Sequence, residues 1–507
     1  MSTEEESPAP ARAGLPIGLA PQIDPSAQLT LAASRDKRPP VSILLRPYQV
    51  EINQRTGDEF RSGARRVLIV SPTGSGKGLL VVYHAQRLAA AGKRVLVLAP
   101  TREIRDQLAA ALTAAGVAHG LTAPGTVETE ALVQVATVAT MAQPKRRAQW
   151  AAWADWILGD EAHHFAARTW RRVVADQPRA RVAGYSATPI RTDGAALGDM
   201  FDAMVIGPSV ADLMVWGFLS QFAVFAPSAP DLARAGKRGG DFETCALRER
   251  MGAVVIGAAV REYLRLCPGV AAVAFCVDRQ HGRAVEQAFV AAGVRAAFID
   301  GDTPADERRA AIAALGDGGL DVLVNCGLVA EGVDIPAIGA VLLLRPTMSL
   351  ALHLQQVERA LRPAPGKARA LILDFSANIE RLGFPDEPRA WSLQGSMKPG
   401  RDNGDAPRAR RCPCCSAMSR PAARECAECG ADLRTARERR EAEIALAEAK
   451  RCAEEDFVAT LPRPHAVAWA GADFERLRLV ARLQGLKPGW AHFQHQRALQ
   501  AEARRHG

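Results

Sequence analysis

Short runs rich in Val, Ile and Leu recur along this chain, each followed by an Ala-rich stretch of helical character. The first set comprises "RRVLIVS" (65–71), "RVLVLAP" (94–100), "LVQVATV" (132–138), "WILGDE" (156–161) and "RVAGYSA" (181–187). A second set lies beyond residue 220: "GVAAVAFCV" (269–277), "VRAAFID" (294–300), "LDVLVNC" (320–326), "AVLLLRP" (340–346) and "ARALILDF" (368–375). Apolar strands alternating with helices are the signature of βαβ units wound on a parallel sheet. The expected fold class is α/β, with two parallel-sheet domains in tandem over 41–215 and 216–384. A length of 507 residues exceeds what one hydrophobic core organises.

The remaining segments differ in texture. Residues 1–40 carry Ala, Pro, Ser and charge without periodicity and are expected to stay largely disordered. "PDEPRAWSLQGSMKPGRDNGDAPRARR" (385–411) reads as a linker. Beyond it lie a cysteine-rich stretch, 412–434, and a charged helix with a C-terminal tail, 435–507. No run approaches the ~18 apolar residues of a membrane span, and the acidic, Pro-rich start lacks a secretory pattern, so a cytoplasmic protein is expected. A net charge of +9 and a pI near 9.2 favour a polyanionic partner.

"SPTGSGKG" (71–78) departs from the phosphate-cradling pattern G-x-x-x-x-G-K-[ST] at both ends, with Ser71 and Gly78. It follows a strong strand and opens into the helical "GLLVVYHAQRLAAAG". The backbone N–H groups of Thr73, Gly74, Ser75, Gly76, Lys77 and Gly78 would therefore converge with a helix N-terminus on one anion. "GDEAHH" begins at the end of another apolar strand. There Asp160 would hold Mg²⁺ through water, and Glu161 would orient or deprotonate the attacking water.

Five further motifs accompany these two: "LRPYQ" (45–49), "APTREIRDQL" (99–108), "YSATPIR" (185–191), "EGVDIP" (331–336) and "QQVERALRP" (355–363). In this order they resemble the superfamily 2 helicases and translocases of the DEAD/DEAH-box type, over roughly residues 41–380. The resemblance implies two RecA-like domains with ATP between them. Gln49 would read the adenine edge with Arg46 nearby, and Lys77 would neutralise the β- and γ-phosphates. Arg359 and Arg362, about one turn apart on their helix, would reach across the cleft as arginine fingers. Gly332 and Asp334 would complete the nucleotide site, while Ser186, Thr188 and Gln355 would couple hydrolysis to domain movement. Thr101, Arg102, Thr137 and Thr140 correspond to positions that touch a nucleic-acid backbone without reading its sequence. DNA is favoured over RNA because the motifs look more like the restriction-translocase and repair-helicase branch. An RNA-remodelling ATPase and a hydrolysis-deficient scaffold are the alternatives.

Three departures from the family pattern matter. Gly78 lacks the hydroxyl that normally ligates Mg²⁺. Glu358 stands where Gly usually precedes the first finger; it is either an outward-facing helix former or a restraint on Arg359. Cys326 replaces a Thr that contacts nucleic acid in many relatives.

In "CPCCSAMSRPAARECAEC", Cys412, Cys415, Cys426 and Cys429 form two C-x-x-C pairs. Two such turns can complete a tetrahedral S₄ site for Zn²⁺, so a structural zinc ribbon is expected, with Cys414 as a spare thiol. The flanking Arg408, Arg410, Arg411, Arg420 and Arg424 would grip a phosphate backbone, and docking of a protein partner by the ribbon or tail is the other reading. In the tail, Trp490 and Phe493 would stack on bases or pack against a neighbouring domain.

Overall fold

The computed structural model describes residues 42–507 apart from 127–128, 192–193, 228–229, 233–234, 239, 328–337, 395–407, 488 and 507. The expectation for residues 1–40 lies outside the described residues. Two compact units are present: one runs to Ala409 and includes Cys415–Met418, and the other holds Arg410–Cys414 and Ser419–Gly507.

The first unit contains two open parallel sheets. The first is built from β1 (Arg66–Val70), β2 (Val95–Ala99), β3 (His119–Thr122), β4 (Val133–Thr137), β5 (Trp156–Gly159), β6 (Arg181–Ser186) and β7 (Ala203–Ile206). Their order is β3-β4-β2-β5-β6-β1-β7, and every neighbouring pair is parallel. Strands β2 and β4 are buried at all positions, as expected where helices cover both faces. Those helices include α1 (Pro47–Arg61), α2 (Lys77–Ala90) and α3 (Arg102–Ala114).

The second sheet begins with β8 (Phe222–Phe225). A two-residue pair follows, β9 (Lys237–Arg238) and β10 (Asp241–Phe242), and then β11 (Ala272–Phe275), β12 (Ala296–Ile299), β13 (Val322–Asn325), β14 (Ala340–Leu343) and β15 (Ala370–Asp374). The sheet order is β12-β13-β11-β14-β15-β8, again parallel throughout. This is the α/β architecture of tandem RecA-like domains. An ion pair joins the two at Arg308 and Glu103, 2.7 Å apart.

Ligands of open parallel sheets collect beyond the C-terminal ends of the strands. Here β5, β6 and β1 are neighbours, so Asp160 and Glu161, the "SATP" motif and the phosphate loop emerge side by side. Thr101 follows β2 and Thr137 ends β4, which places these two on adjacent strands at the same end of the sheet.

Of the expected linker, residues 385–394 pack back onto the first sheet's core: Trp391 and Leu393 lie against it, and Leu393 O accepts from Gly198 N at 2.7 Å. Residues 395–407 lie outside the described residues. In the second unit, helices Ala436–Thr460, Arg463–Ala470, Phe474–Leu483 and Trp490–His506 share a small core that includes Val458, Ala466, Leu477 and Val480. Among the described residues, no helix is long and apolar enough to cross a membrane.

Candidate active site and metal centre

The phosphate loop turns through two left-handed glycines, Gly74 (φ +87°) and Gly76 (φ +84°). A Cβ on Gly76 would fall 2.5 Å from Gln49 Nε2, so both conformation and space demand glycine there. Lys77 opens α2 and is buried; its Nζ donates to Ser71 O (2.9 Å) and Pro72 O (3.1 Å). Burial pulls the Lys77 pKa down, against the opposing charges of Glu161, Glu358 and Asp160.

The loop is held from below by α1. Gln49 Nε2 donates to Ser75 O (3.0 Å), its Oε1 accepts from Arg46 N (2.9 Å), and Tyr48 Oη donates to Ser75 O (2.8 Å). Gln49 is thus completely buried beneath the loop, with both ends of its amide engaged. Arg46 lines the cleft wall, its guanidinium 4.4 Å from the centroid of Phe218. Tyr48 packs between Phe218 and Trp216. Sequence reasoning passed over these aromatics; the pairing of Tyr48 with "VWGFL" (215–219) joins segments too distant for any local pattern to reveal.

Asp160 Oδ1 accepts from Glu161 N at 3.0 Å. Burial, and then the charge of Glu161, push the Asp160 carboxyl up to about 7, with Lys77 and Arg359 pulling the other way. Glu161 sits at φ +48°, a left-handed conformation that costs a non-glycine residue about 1–3 kcal/mol and recurs at functional sites. Its Oε2 is 3.4 Å from His163 Nδ1, which in turn lies 3.3 Å from Ser186 Oγ. Because Ser186 Oγ donates its proton to Thr188 O (2.6 Å), His163 Nδ1–H is the donor to the serine. Glu161, His163 and Ser186 therefore lie in a row, with the imidazole bonded to the serine and Glu161 Oε2 beside it without a hydrogen bond among the described residues, a proximity that residue spacing gave no sign of.

A cleft of about 1030 Å³ brings Arg46, Thr73, Lys77, Asp160 and Glu161 from the first domain together with Arg359 and Arg362 from the second. The helix expected to carry both arginines spans Leu350–Glu358 and ends before either: Arg359 is its C-cap and Arg362 lies past it. Glu358 does not face outward. It is 2 % exposed, and its Oε2 accepts from Thr73 N at 2.7 Å, across the domain boundary. Gln355 is also buried, with no hydrogen-bond partner for its amide among the described residues. Gly332 and Asp334 lie outside the described residues.

Thr101 Oγ caps α3 by accepting from Ile104 N (3.3 Å), with Arg102 exposed beside it. Thr137 Oγ accepts from Thr140 N (3.2 Å), and the two hydroxyls are 2.9 Å apart, buried and engaged with each other. Cys326, just beyond β13, is half-buried, and burial raises its thiol pKa.

Cys412, Cys415, Cys426 and Cys429 bring their sulfurs within 4.8 Å of one another. A tetrahedral zinc with Zn–S bonds of about 2.3 Å sets its sulfurs roughly 3.8 Å apart, and Cys412 Sγ and Cys429 Sγ are 3.5 Å apart. None of the four is in a disulfide, so the cluster fits a zinc ribbon. Cys414 is exposed and outside it. Among the flanking arginines, Arg410 forms a bidentate pair with Glu438 (2.6 and 2.9 Å). In the tail, Trp490 packs on the helical core while Phe493 is exposed.

Two family models match the chain: "Type III restriction enzyme, res subunit" over residues 42–191 and "Helicase conserved C-terminal domain" over 258–364. A 51.5 kDa protein of a Lactococcus phage is 30% identical over 372 residues, 72% of this chain and 78% of that protein. A Schizosaccharomyces pombe protein named as a mitochondrial ATP-dependent helicase, irc3, is 27% identical over 69% of this chain; the chain spans 60% of that relative's length. Among solved structures, a fragment named as an HsdR subunit of a type I restriction enzyme from Vibrio vulnificus shares the fold. Its TM-score is 0.55 at 22% identity, over 69% of this chain and 68% of the fragment. The two matched models cover β1–β6 of the first sheet and β11–β14 of the second, and the phage relative is matched over more than two thirds of its length. The chain belongs to the superfamily 2 helicases and translocases, with their restriction-translocase-like members, a family of nucleic-acid-dependent ATPases.

Proposed function

We propose that this protein is an ATP-driven translocase or helicase acting on DNA, with ATP hydrolysed between its two RecA-like domains. The observation that carries this reading is the convergence of the phosphate loop, Asp160, Glu161 and the two arginines of the second domain on one cleft. Lys77 leaves the carbonyls of Ser71 and Pro72 to neutralise the β- and γ-phosphates, while the backbone N–H groups of Thr73 to Gly78 cradle them. Asp160 would hold Mg²⁺, without help from residue 78, and the ion would supply neutralisation of phosphate charge. Glu161 aligns the attacking water, and its strained backbone fixes that aim. Arg359 and Arg362 stabilise the charge that develops on the γ-phosphate, and the Glu161–His163–Ser186 contact passes the state of the nucleotide to the "SATP" segment.

Thr101 and Arg102 meet the DNA backbone, and Arg46 packs against the base of the nucleotide. The preference for DNA rests on the likeness to restriction-enzyme subunits. Cys412, Cys415, Cys426 and Cys429 hold a structural Zn²⁺, making the ribbon a docking module for phosphate backbone or protein.

Steady-state ATP hydrolysis, measured with no polymer, single-stranded DNA, duplex DNA or RNA, tests the reading. DNA should stimulate turnover, and Glu161→Gln should lower it by about 10²–10⁴-fold. Stimulation by RNA alone would transfer the protein to the RNA-remodelling ATPases. A lack of turnover under every condition would make it a scaffold.

A further inference from the structure

We propose that Glu358 is a positioning residue that competes with phosphate: its carboxyl occupies the phosphate loop at Thr73, and ATP must displace it toward Arg389. The inference rests on reading the cleft as a nucleotide site. Glu358 is the last residue of helix Leu350–Glu358 and accepts from Thr73 N at 2.7 Å, inside the loop that would wrap the phosphates. The Thr73 hydroxyl also bonds the carboxyl; burial pushes the Glu358 pKa up, while the two Thr73 donors and the charge of Lys77 pull it back. A carboxyl oxygen is therefore already seated against a loop donor, where a phosphate oxygen would accept. Lys77 is meanwhile folded back onto the carbonyls of Ser71 and Pro72. The loop thus has its lysine and its first donor satisfied from within.

A second seat for the carboxylate lies close by. A cavity of about 100 Å³ is bounded by Pro72, Leu354, Glu358, Glu387, Arg389 and Trp391. The Arg389 guanidinium is fixed there by the carbonyls of Phe384 (2.8 Å), Pro385 (3.1 Å) and Glu387 (3.1 Å), and its charge already acts on Glu358. Polyphosphate entering the loop repels Glu358 from Thr73, and Arg389 receives it. Arg359, the first finger, follows Glu358 directly in the chain. Linkage makes the effect reciprocal: whatever ATP takes from the Glu358 contact, that contact takes from ATP affinity.

The experiment is the binding of a fluorescent, non-hydrolysable ATP analogue to the full chain without DNA, for wild type, Glu358→Gln, Arg389→Ala and the double variant. Glu358→Gln should bind roughly five- to fiftyfold more tightly, the range of an ordinary coupling. Arg389→Ala should bind more weakly, and that loss should vanish in the double variant, because there is no carboxylate left to receive. Thermal melts identify any variant that fails to fold, and Glu358→Ala then replaces Glu358→Gln with the same expectation. Equal or weaker binding by folded Glu358 variants overturns the proposal. An Arg389→Ala loss that persists undiminished in the double variant overturns the second seat. Hydrolysis plays no part in this readout, so a chain that binds in the expected order yet turns over no ATP with DNA defeats the motor reading and leaves the Glu358 exchange standing.

Discussion

A Cβ built on Gly78 would meet no atom within 4 Å, whereas one on Gly76 would collide with Gln49. The loop's geometry requires Gly76, but packing does not hold glycine at 78. What residue 78 withholds is a hydroxyl for the cation. Mg²⁺ draws most of its octahedral shell from phosphates and water, so losing one protein oxygen weakens its hold without abolishing it. Gly78→Thr is therefore expected to lower the Mg²⁺ concentration for half-maximal hydrolysis by on the order of tenfold. A magnesium titration of the two proteins with DNA present checks this, and an unchanged requirement would mean that the ion does not sit against residue 78. That Lys77, Asp160 and Glu161 come together in one cleft was legible in the sequence because strand, turn and charge are written in adjacent residues. Glu358 was not. Its helix is buried at Ala351 and throughout His353–Glu358, and periodicity assigns a facing direction only when one side of a helix meets water. The internal hydrogen bonds of Gln49, Thr137 and Thr140 were not legible for a related reason: an amide or hydroxyl that can serve a ligand can equally serve the backbone beside it.

At the scale of elements, the segment after residue 384 behaves as a strap. Its composition, Pro-rich and mixed in charge, reads as a linker, yet Trp391 and Leu393 rest on the first sheet's core. Gly198 makes the close approach possible: it donates to Leu393 O at 2.7 Å, and a Cβ there would come within 2.8 Å of that same oxygen. Neither backbone can retreat cheaply, so Gly198→Ala should detach the strap and lower stability by about 1–3 kcal/mol. The denaturation midpoint should fall, and trypsin should cut faster after Arg389, whose guanidinium the strap's own carbonyls now hold. An unchanged midpoint with unchanged cleavage would show that the contact bears no stabilising role. The strands that do not stand out in the sequence, β3, β7 and β8, all lie at sheet edges. Of these only β3, HGLT, lacks an apolar run, as expected of an edge strand that is partly buried. In β7 (AMVI) and β8 (FAVF) the run is apolar but four residues long, too short for periodicity to tell a strand from a helical segment.

At the scale of the whole molecule, the two units rest on hydrophobic cores of very different size. The sheets of the first bury dozens of large side chains. The second has a core of six fully buried residues, three of them alanines, and the residues around the cysteine cluster add little beyond Ala409, Ala417, Met418 and Leu433. Segments this poor in apolar burial need another source of order. Four thiols within 4.8 Å of one another supply it only around a cation, because as bare thiolates they would repel and as neutral thiols they would bind one another weakly. Zinc binding of this kind is worth roughly 10–16 kcal/mol at neutral pH, far more than the ribbon's packing. The purified chain should therefore carry one zinc per molecule by elemental analysis. Strong chelation or Cys426→Ser should remove it and accelerate amide hydrogen exchange through residues 408–434. Exchange in β1 and β5 should stay slow, since those strands are buried in a core that the metal does not support. Acid should act as the chelator does, because protons compete with zinc for the thiolates, so the metal is held at neutral pH and released as the pH falls. A chain that contains no zinc, yet protects residues 408–434 from exchange as firmly as before chelation, would show that these four cysteines are ordered by packing and not by a metal.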